Sequence, residues 1–186
     1  SHLSRDEMME NMVHNIAEFV GSDIPPNADI AIENLPTSRG IIFDSQDVHD
    51  VNDLAQDYGI SDEIAYTLDI VHTAQPIEMI RAMTEDDNLS NVHYSDHIGV
   101  DDERVEGIEE RYPSDLEDLL PWVERPGAYT HLPPGEGDED FEAVFSELDD
   151  QGYDGPVTME LHDRFKTPDG YGVAQEAMEE AGYPID

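Results

Sequence analysis

The chain has 186 residues, 38% of them hydrophobic, enough for one domain with a real core and too few for two large ones. Its 46 Asp and Glu against 8 Lys and Arg give a formal net charge of -38, a field that speaks against a nucleic-acid partner, since phosphates call for a basic footprint. No apolar run approaches the ~20 residues that span a bilayer and no basic-then-apolar leader opens the chain, so the expectation is a cytoplasmic protein with no membrane partner. Without cysteine there is neither a disulfide framework nor a thiolate metal site.

Taken in order, Ser4 to Val20 sets Met9, Met12, Val13, Ile16 and Val20 at helical spacing, with Ser4 or Asp6 as N-cap and Gly21 as the stop. A turn at Pro25 and Pro26 leads to a short strand over residues 29–33 that ends on Glu33. A helix is expected from Val51 to Tyr58, then a second strand from Ile64 that ends on Asp69. Ile77, Ile80 and Met83 mark a helix, and Leu89 to His93 a third strand. From Ser95 to Thr130 the reading is an elaborated acidic loop with a short helix near Leu116 to Val123. Phe141, Val144, Phe145 and Leu148 form an amphipathic helix capped by Asp138. After a turn at Gly152 to Gly155, Pro156 to Glu160 is a fourth strand, and Val173 to Ala181 supply the last helix.

The acids are interleaved with this periodicity rather than gathered in a tail, which indicates a folded, acid-coated surface. Molar salt shortens the Debye length to ~3 Å and screens such repulsion, so a salt-rich cytoplasm is the simplest setting. Strands alternating with helices imply an α/β fold with a parallel sheet. No glycine-rich phosphate turn follows the first strand, so a barrel fits better than a doubly wound sheet. Eight strands typically take ~250 residues, and about half of a (β/α)8 barrel is expected here, in a single domain over residues 1–186. The opening Ser1-His2, without an initiator methionine, fits a truncated chain or a tag remnant.

Four successive strands finish on Glu33, Asp69, His93 and Glu160, and in parallel α/β folds ligands bind at the C-terminal strand ends. Three carboxylates and an imidazole make a mostly oxygen donor set suited to Mn2+, Mg2+ or Co2+, with Zn2+ admitted. A divalent ion holding a carbonyl and an adjacent hydroxyl would polarise the carbonyl and acidify the neighbouring C–H. Glu33 and Glu160, from different strands, are the candidates to remove and return that proton through an enediolate. His131 stands before a Pro-Pro-Gly-Glu-Gly turn, either beside the site or holding the turn, and Asp96 and His97 are candidates for a supporting layer behind it. His2, His14, His49 and His162 carry no such context, and the helical methionines read as core.

The blocks Glu33-Asn34-Leu35-Pro36, Leu68 to His72, Val92 to Asp96, His131 through Gly137 and Gly152 to Glu160 resemble, in order and over nearly the whole chain, strands five to eight of the xylose isomerase-like TIM barrels. That superfamily includes sugar isomerases and epimerases and the apurinic endonucleases. The resemblance implies that Glu33, Asp69, His93 and Glu160 bind metal and that His72 faces a small-molecule sugar substrate, phosphorylated or not, with His131 a further candidate to bind it. The missing barrel half, or a second copy of the chain, would be the protein partner. Two alternatives stand beside this: a zinc-dependent phosphodiesterase like the apurinic endonucleases, in which His72 binds a further metal, and a non-catalytic half barrel. The endonucleases carry an Asp two residues before the late histidine, where this chain has Tyr129.

Overall fold

A computed structural model of the chain describes residues 3–21, 30–36, 40–112 and 127–183. The turn at Pro25 and Pro26 and the helix expected near Leu116 to Val123 lie outside the described residues.

Four strands, β1 (Ile30–Glu33), β2 (Ile64–Asp69), β3 (Leu89–Tyr94) and β6 (Val157–Met159), form one parallel sheet in the order β1-β2-β3-β6. Neighbours in the sheet follow one another in sequence with no reversal. That is the winding of a barrel wall, whereas a doubly wound sheet turns back on itself. Between β3 and β6 the chain inserts β4 (Asp96–Gly99), α4 (Val105–Arg111) and β5 (Ala128–Leu132), with β4 and β5 paired antiparallel as a separate two-stranded ribbon. β2 is buried along its whole length, as a central strand covered on both sides must be. The edge strands β1 and β6 are only partly covered.

Helices α1 (Arg5–Val20), α2 (Ser45–Tyr58), α3 (Pro76–Thr84), α5 (Phe141–Asp150) and α6 (Pro168–Glu180) complete the fold. Their apolar stripes and one face of the sheet make the main core, centred on Val13, Val48, Tyr66, Leu68, Met79, Val92 and Phe145. α1 opens on a capping box between Ser4 and Glu7 and closes at Gly21, as expected. α2 begins two turns before the expected Val51. Asp44 and Asp47 form a second capping box, and Val48, fully buried, aligns with Val51 and Ala55 on one face; the polar Ser45-Gln46-Asp47 turn hides this start. Gly59 ends α2 at φ 71, a left-handed conformation that only glycine takes without cost. α5 is capped by Asp140, whose side chain accepts from the Ala143 N–H at 3.0 Å, not by Asp138, which pairs with Arg104 instead. α6 starts at Pro168 under a Thr167 cap, earlier than its apolar residues suggest.

A second, smaller apolar cluster of Ile98, Ile108, Tyr112, Leu132, Leu161 and Phe165 joins the ribbon and α4 to the segment after β6. It lies on the side where the parallel strands end. Arg164 is buried there and donates to the backbone carbonyls of Tyr112 (2.6 Å) and Glu109 (3.1 Å), which satisfies carbonyls at the end of α4.

Candidate metal centre

Backbone register decides where the four strand-end residues point. Glu33 pairs with Thr67, Asp69 with His93, and His93 with Thr158. Registered partners share a face and side chains alternate along a strand, so Glu33, Asp69, His93 and Glu160 all project to the same side. β3 runs one residue past His93, and Glu160 lies one residue beyond β6. Its N–H still bonds the Tyr94 carbonyl at 3.0 Å, so the ladder holds it in place.

The structure brings these four residues together. One ligand-type atom from each lies within 4.8 Å of those of the others. His93 Nδ1 is 2.7 Å from Glu160 Oε2 and 3.3 Å from Glu33 Oε1 but is aligned on neither as a hydrogen bond, and Asp69 Oδ2 is buried without a hydrogen-bond partner. Donor atoms that crowd one point without bonding each other are what a shared cation relieves, and the oxygen-rich set suits a hard or borderline divalent ion. The residues present therefore fit such an ion.

The electrostatics point the same way. Burial pushes Asp69 up to about 6, against the pull of His72 and His131 nearby. The adjacency of Glu160, and after it Glu33, pushes the His93 imidazole up to about 10, and His93 in turn holds Glu160 below the usual carboxylate range. A divalent charge at this point would keep Asp69 ionised and displace the proton from His93.

His72 follows Asp69 through a 3-10 turn over Ile70–His72, which starts where Asp69 Oδ1 accepts from the Val71 N–H at 3.0 Å. Its Nδ1 lies 3.0 Å from the Asn34 carbonyl; a carbonyl only accepts, so this nitrogen carries the proton. The other nitrogen, Nε2, is 3.4 Å from Asp69 Oδ2 and 3.2 Å from His131 Nε2. The two rings meet edge-on at 84°, with centroids 5.1 Å apart. His131 Nδ1 sits 3.3 Å from both Ser95 Oγ and the Glu160 carbonyl oxygen. Asp69, His72 and His131 thus form a second close group that shares Asp69 with the first.

Sequence reasoning missed two supports. Asn34, fully buried, donates through its amide to the Asp69 carbonyl at 3.0 Å and accepts the Asp69 N–H at 2.7 Å, so it ties the end of β1 to the end of β2. Ser95, also fully buried, touches His131. Both stand directly beyond a predicted ligand or its neighbour in the chain, and that adjacency was the only signal. Asp96 and His97 do lie behind the site: Asp96 binds backbone N–H groups of the loop after His131, and His97 Nδ1 is 3.3 Å from Glu139. His14 and His49 lie near Glu18 and Glu85 on helix surfaces, and His162 caps the 3-10 turn over Asp163–Phe165. Tyr129 packs on the smaller apolar cluster.

Residues 1–181 match the family described as xylose isomerase-like TIM barrel. The chain belongs to that family. Solved structures similar to this TIM barrel chain include a D-tagatose 3-epimerase-like protein (TM-score 0.60, 21% identity, covering 95% of this chain and 55% of that one). A D-psicose 3-epimerase with D-tagatose from Clostridium cellulolyticum H10 matches with TM-score 0.63 and 16% identity, over 100% of this chain and 59% of that one. An L-ribulose 3-epimerase matches with TM-score 0.62 and 15% identity, over 98% and 55%. At these identities the likeness is one of fold, and the chain spans little more than half the length of the solved barrels it matches. No curated protein sequence matches it. No helix among the described residues is long and apolar enough to cross a membrane.

Proposed function

We propose that this member of the barrel family carries the metal-binding half of a divalent-metal-dependent sugar, or sugar phosphate, isomerase or epimerase that works by proton transfer through an enediolate. The observation that carries this reading is the convergence of Glu33, Asp69, His93 and Glu160 at the C-terminal ends of four neighbouring parallel strands. A bound Mn2+, Mg2+ or Co2+, with Zn2+ admitted, would polarise a sugar carbonyl and stabilise the charge that develops as the adjacent C–H is lost. Glu33 and Glu160 reach the cluster from the two outer strands, so one can take a proton at the carbon next to the carbonyl while the other returns it from a different direction. His72 and His131 present ring nitrogens beside them and would orient sugar hydroxyls. The strands that complete the barrel, from a further polypeptide segment or a second copy, would lie along the free edges of β1 and β6. A salt-rich cytoplasm suits the charge of -38.

The phosphodiesterase reading is weaker on one specific observation. Where the endonucleases carry an Asp ligand, Tyr129 packs among apolar side chains instead, and the acidic field repels DNA phosphates. The ketose epimerases among the structural neighbours support the sugar reading through the fold they share.

Incubating the full-length protein with Mn2+ and a keto sugar in deuterated water tests it. Deuterium should enter at the carbon next to the carbonyl, and Glu160→Gln should abolish the exchange. Cleavage of an abasic-site duplex without any C–H exchange would sink the sugar reading.

A further inference from the structure

His131 reaches the site in a backbone conformation that side-chain-bearing residues avoid. Its φ is 60, in the left-handed region. The ribbon shows how this arises: Asp96 pairs with Leu132 and Ile98 with Tyr129, so two steps along β4 match three along β5. The extra residue is a β-bulge spanning Thr130 and His131, and a bulge re-aims the side chain it carries. Such a conformation persists only where its surroundings fix it from both sides. On one side the ribbon ladder does so, and the His131 carbonyl accepts the His162 N–H at 3.0 Å.

The other side is held by one carboxylate. Asp96 is 1% exposed, and its two oxygens accept four backbone N–H groups: Oδ1 from His97 (2.8 Å) and Glu139 (2.9 Å), Oδ2 from Gly135 and Gly137 (both 2.9 Å). The Asp138 N–H adds a bond to the His97 carbonyl at 2.8 Å. Gly137 is pressed so close that a Cβ there would fall 2.3 Å from Asp96 Oδ1 and 2.1 Å from the His97 oxygen. Four N–H groups aimed at one carboxylate make a specific, charge-assisted nest. It organises the seven residues that follow Leu132.

We infer that Asp96 is a positioning residue of the site: by gathering the 133–139 loop onto its carboxylate it holds the bulge at His131 and so keeps the His131 ring against His72 and the metal-ligand cluster. The Asp96 carboxylate spends its oxygens on these four backbone N–H groups, whereas the four strand-end residues are placed by the register of the sheet. As far as His131 acts on a sugar, the inference rests on the reading above; the placement of the ring does not. Asparagine at position 96 presents two N–H donors where the loop offers only more donors, so two of the four bonds are lost although the volume is kept.

The test follows the imidazoles directly in 15N-histidine-labelled protein, by long-range 1H–15N NMR, with a Co2+ titration run alongside. In the wild type, His72 should show a protonated Nδ1, the two Nε2 atoms should report a shared hydrogen bond, and the amides of His97, Gly135, Gly137 and Glu139 should resist hydrogen exchange. Asp96→Asn should return His131 to the pattern of a free imidazole and expose the loop amides to exchange, with Co2+ affinity at the four-residue cluster unchanged. Gly137→Ala attacks the same nest from its other partner and should do likewise. Turnover of the full-length protein would then fall in kcat by roughly 100-fold, the cost of a 1 Å misplacement near the chemistry. Unperturbed His131 signals in either variant that folds would overturn the inference, and so would rapid exchange of the four amides in the wild type, which stands even if Asp96→Asn fails to fold. Failure of wild-type Co2+ binding would count against the metal reading alone and leave the His131 result standing.

Discussion

The sheet and the mouth segment, which comprises the β4–β5 ribbon, α4 and the 133–139 loop, hold their site residues by different means. On the sheet, Glu33, Asp69, His93 and Glu160 are aimed by backbone register, and alternation along a strand gives them a common direction before any side chain makes a contact. In the mouth, His131 is aimed by a bulge and a loop that are themselves fixed by a single buried carboxylate. The two regions also differ in what they bury. The sheet backs onto the main core, whereas the mouth rests on a smaller cluster of six residues that it shares with Leu161 and Phe165 from the segment after β6. The lesson is that ligands placed by register should be the stiffer part of this site, and residues placed by side-chain-to-backbone bonds the adjustable part.

The sharpest break in that comparison is chemical. Glu160→Gln keeps shape and register but removes a proton acceptor, so deuterium exchange into a keto sugar should fall by about 10²–10⁴-fold with the far-UV spectrum unchanged. Loss of exchange together with loss of fold would mean that Glu160 holds the sheet together rather than serving the chemistry.

Two phenylalanines compare the cores. Phe145 is buried between Phe141 and Tyr183 in the main core, and Phe165 is buried edge-on to Tyr112 in the smaller one. Each change to Ala should cost about 3–5 kcal/mol where it acts. Phe145→Ala should lower the global denaturation midpoint. Phe165→Ala should instead raise hydrogen exchange in the ribbon and α4 while β2 and β3 keep their protection, as expected of separate cooperative units. Uniform loss of protection in both variants would show a single unit and erase the distinction.

Salt should separate the regions more gently. Residues 96–112 carry 7 acids in 17 positions, against 5 in 31 over residues 64–94. Raising KCl from low to molar concentration screens this repulsion and should lift the melting midpoint by about 3 °C for each kcal/mol gained, with the larger gain in amide protection in the mouth. A flat or falling midpoint would remove the case for adaptation to salt.

The smallest effect lies on the outside of the sheet region. Arg81 clasps Glu147 across α3 and α5 with bonds of 2.9 and 2.7 Å, and this holds the Glu147 carboxyl below its ordinary value. A depressed folded-state pKa adds stability above the unfolded value, and that stability is lost as pH falls through the lower folded one. Arg81→Met should therefore lower the melting temperature slightly at neutral pH, less than either Phe change, and the gap to wild type should close in acid. A gap that persists in acid would assign the loss to packing of the arginine stem rather than to charge.

Much of the sheet was legible because its code is local. Apolar runs that stop on Glu33, Asp69 and Glu160 mark strands entering a polar face, and the structure places all three within one residue of a strand end. The ribbon was not legible, since Asp96-His97-Ile98-Gly99 carries a single large apolar residue and its partner lies some 30 positions on, across a stretch that reads as acidic loop. The start of α2 and the cap of α5 were missed for a related reason. Asp44, Asp138 and Asp140 have identical local chemistry, and only the position of the next turn decides which of them accepts an N–H.

Asn34 has a consequence of its own. Its side-chain amide stands in for a residue of backbone, donating and accepting across the two-residue step between the ends of β1 and β2. Hydrolysis of that one amide to a carboxylate would turn the donor into a second acceptor facing the Asp69 carbonyl at 3.0 Å, and would set a new negative charge beside a carboxyl already short of partners. The full burial of Asn34 keeps water from that amide and so guards the join between the two strand ends.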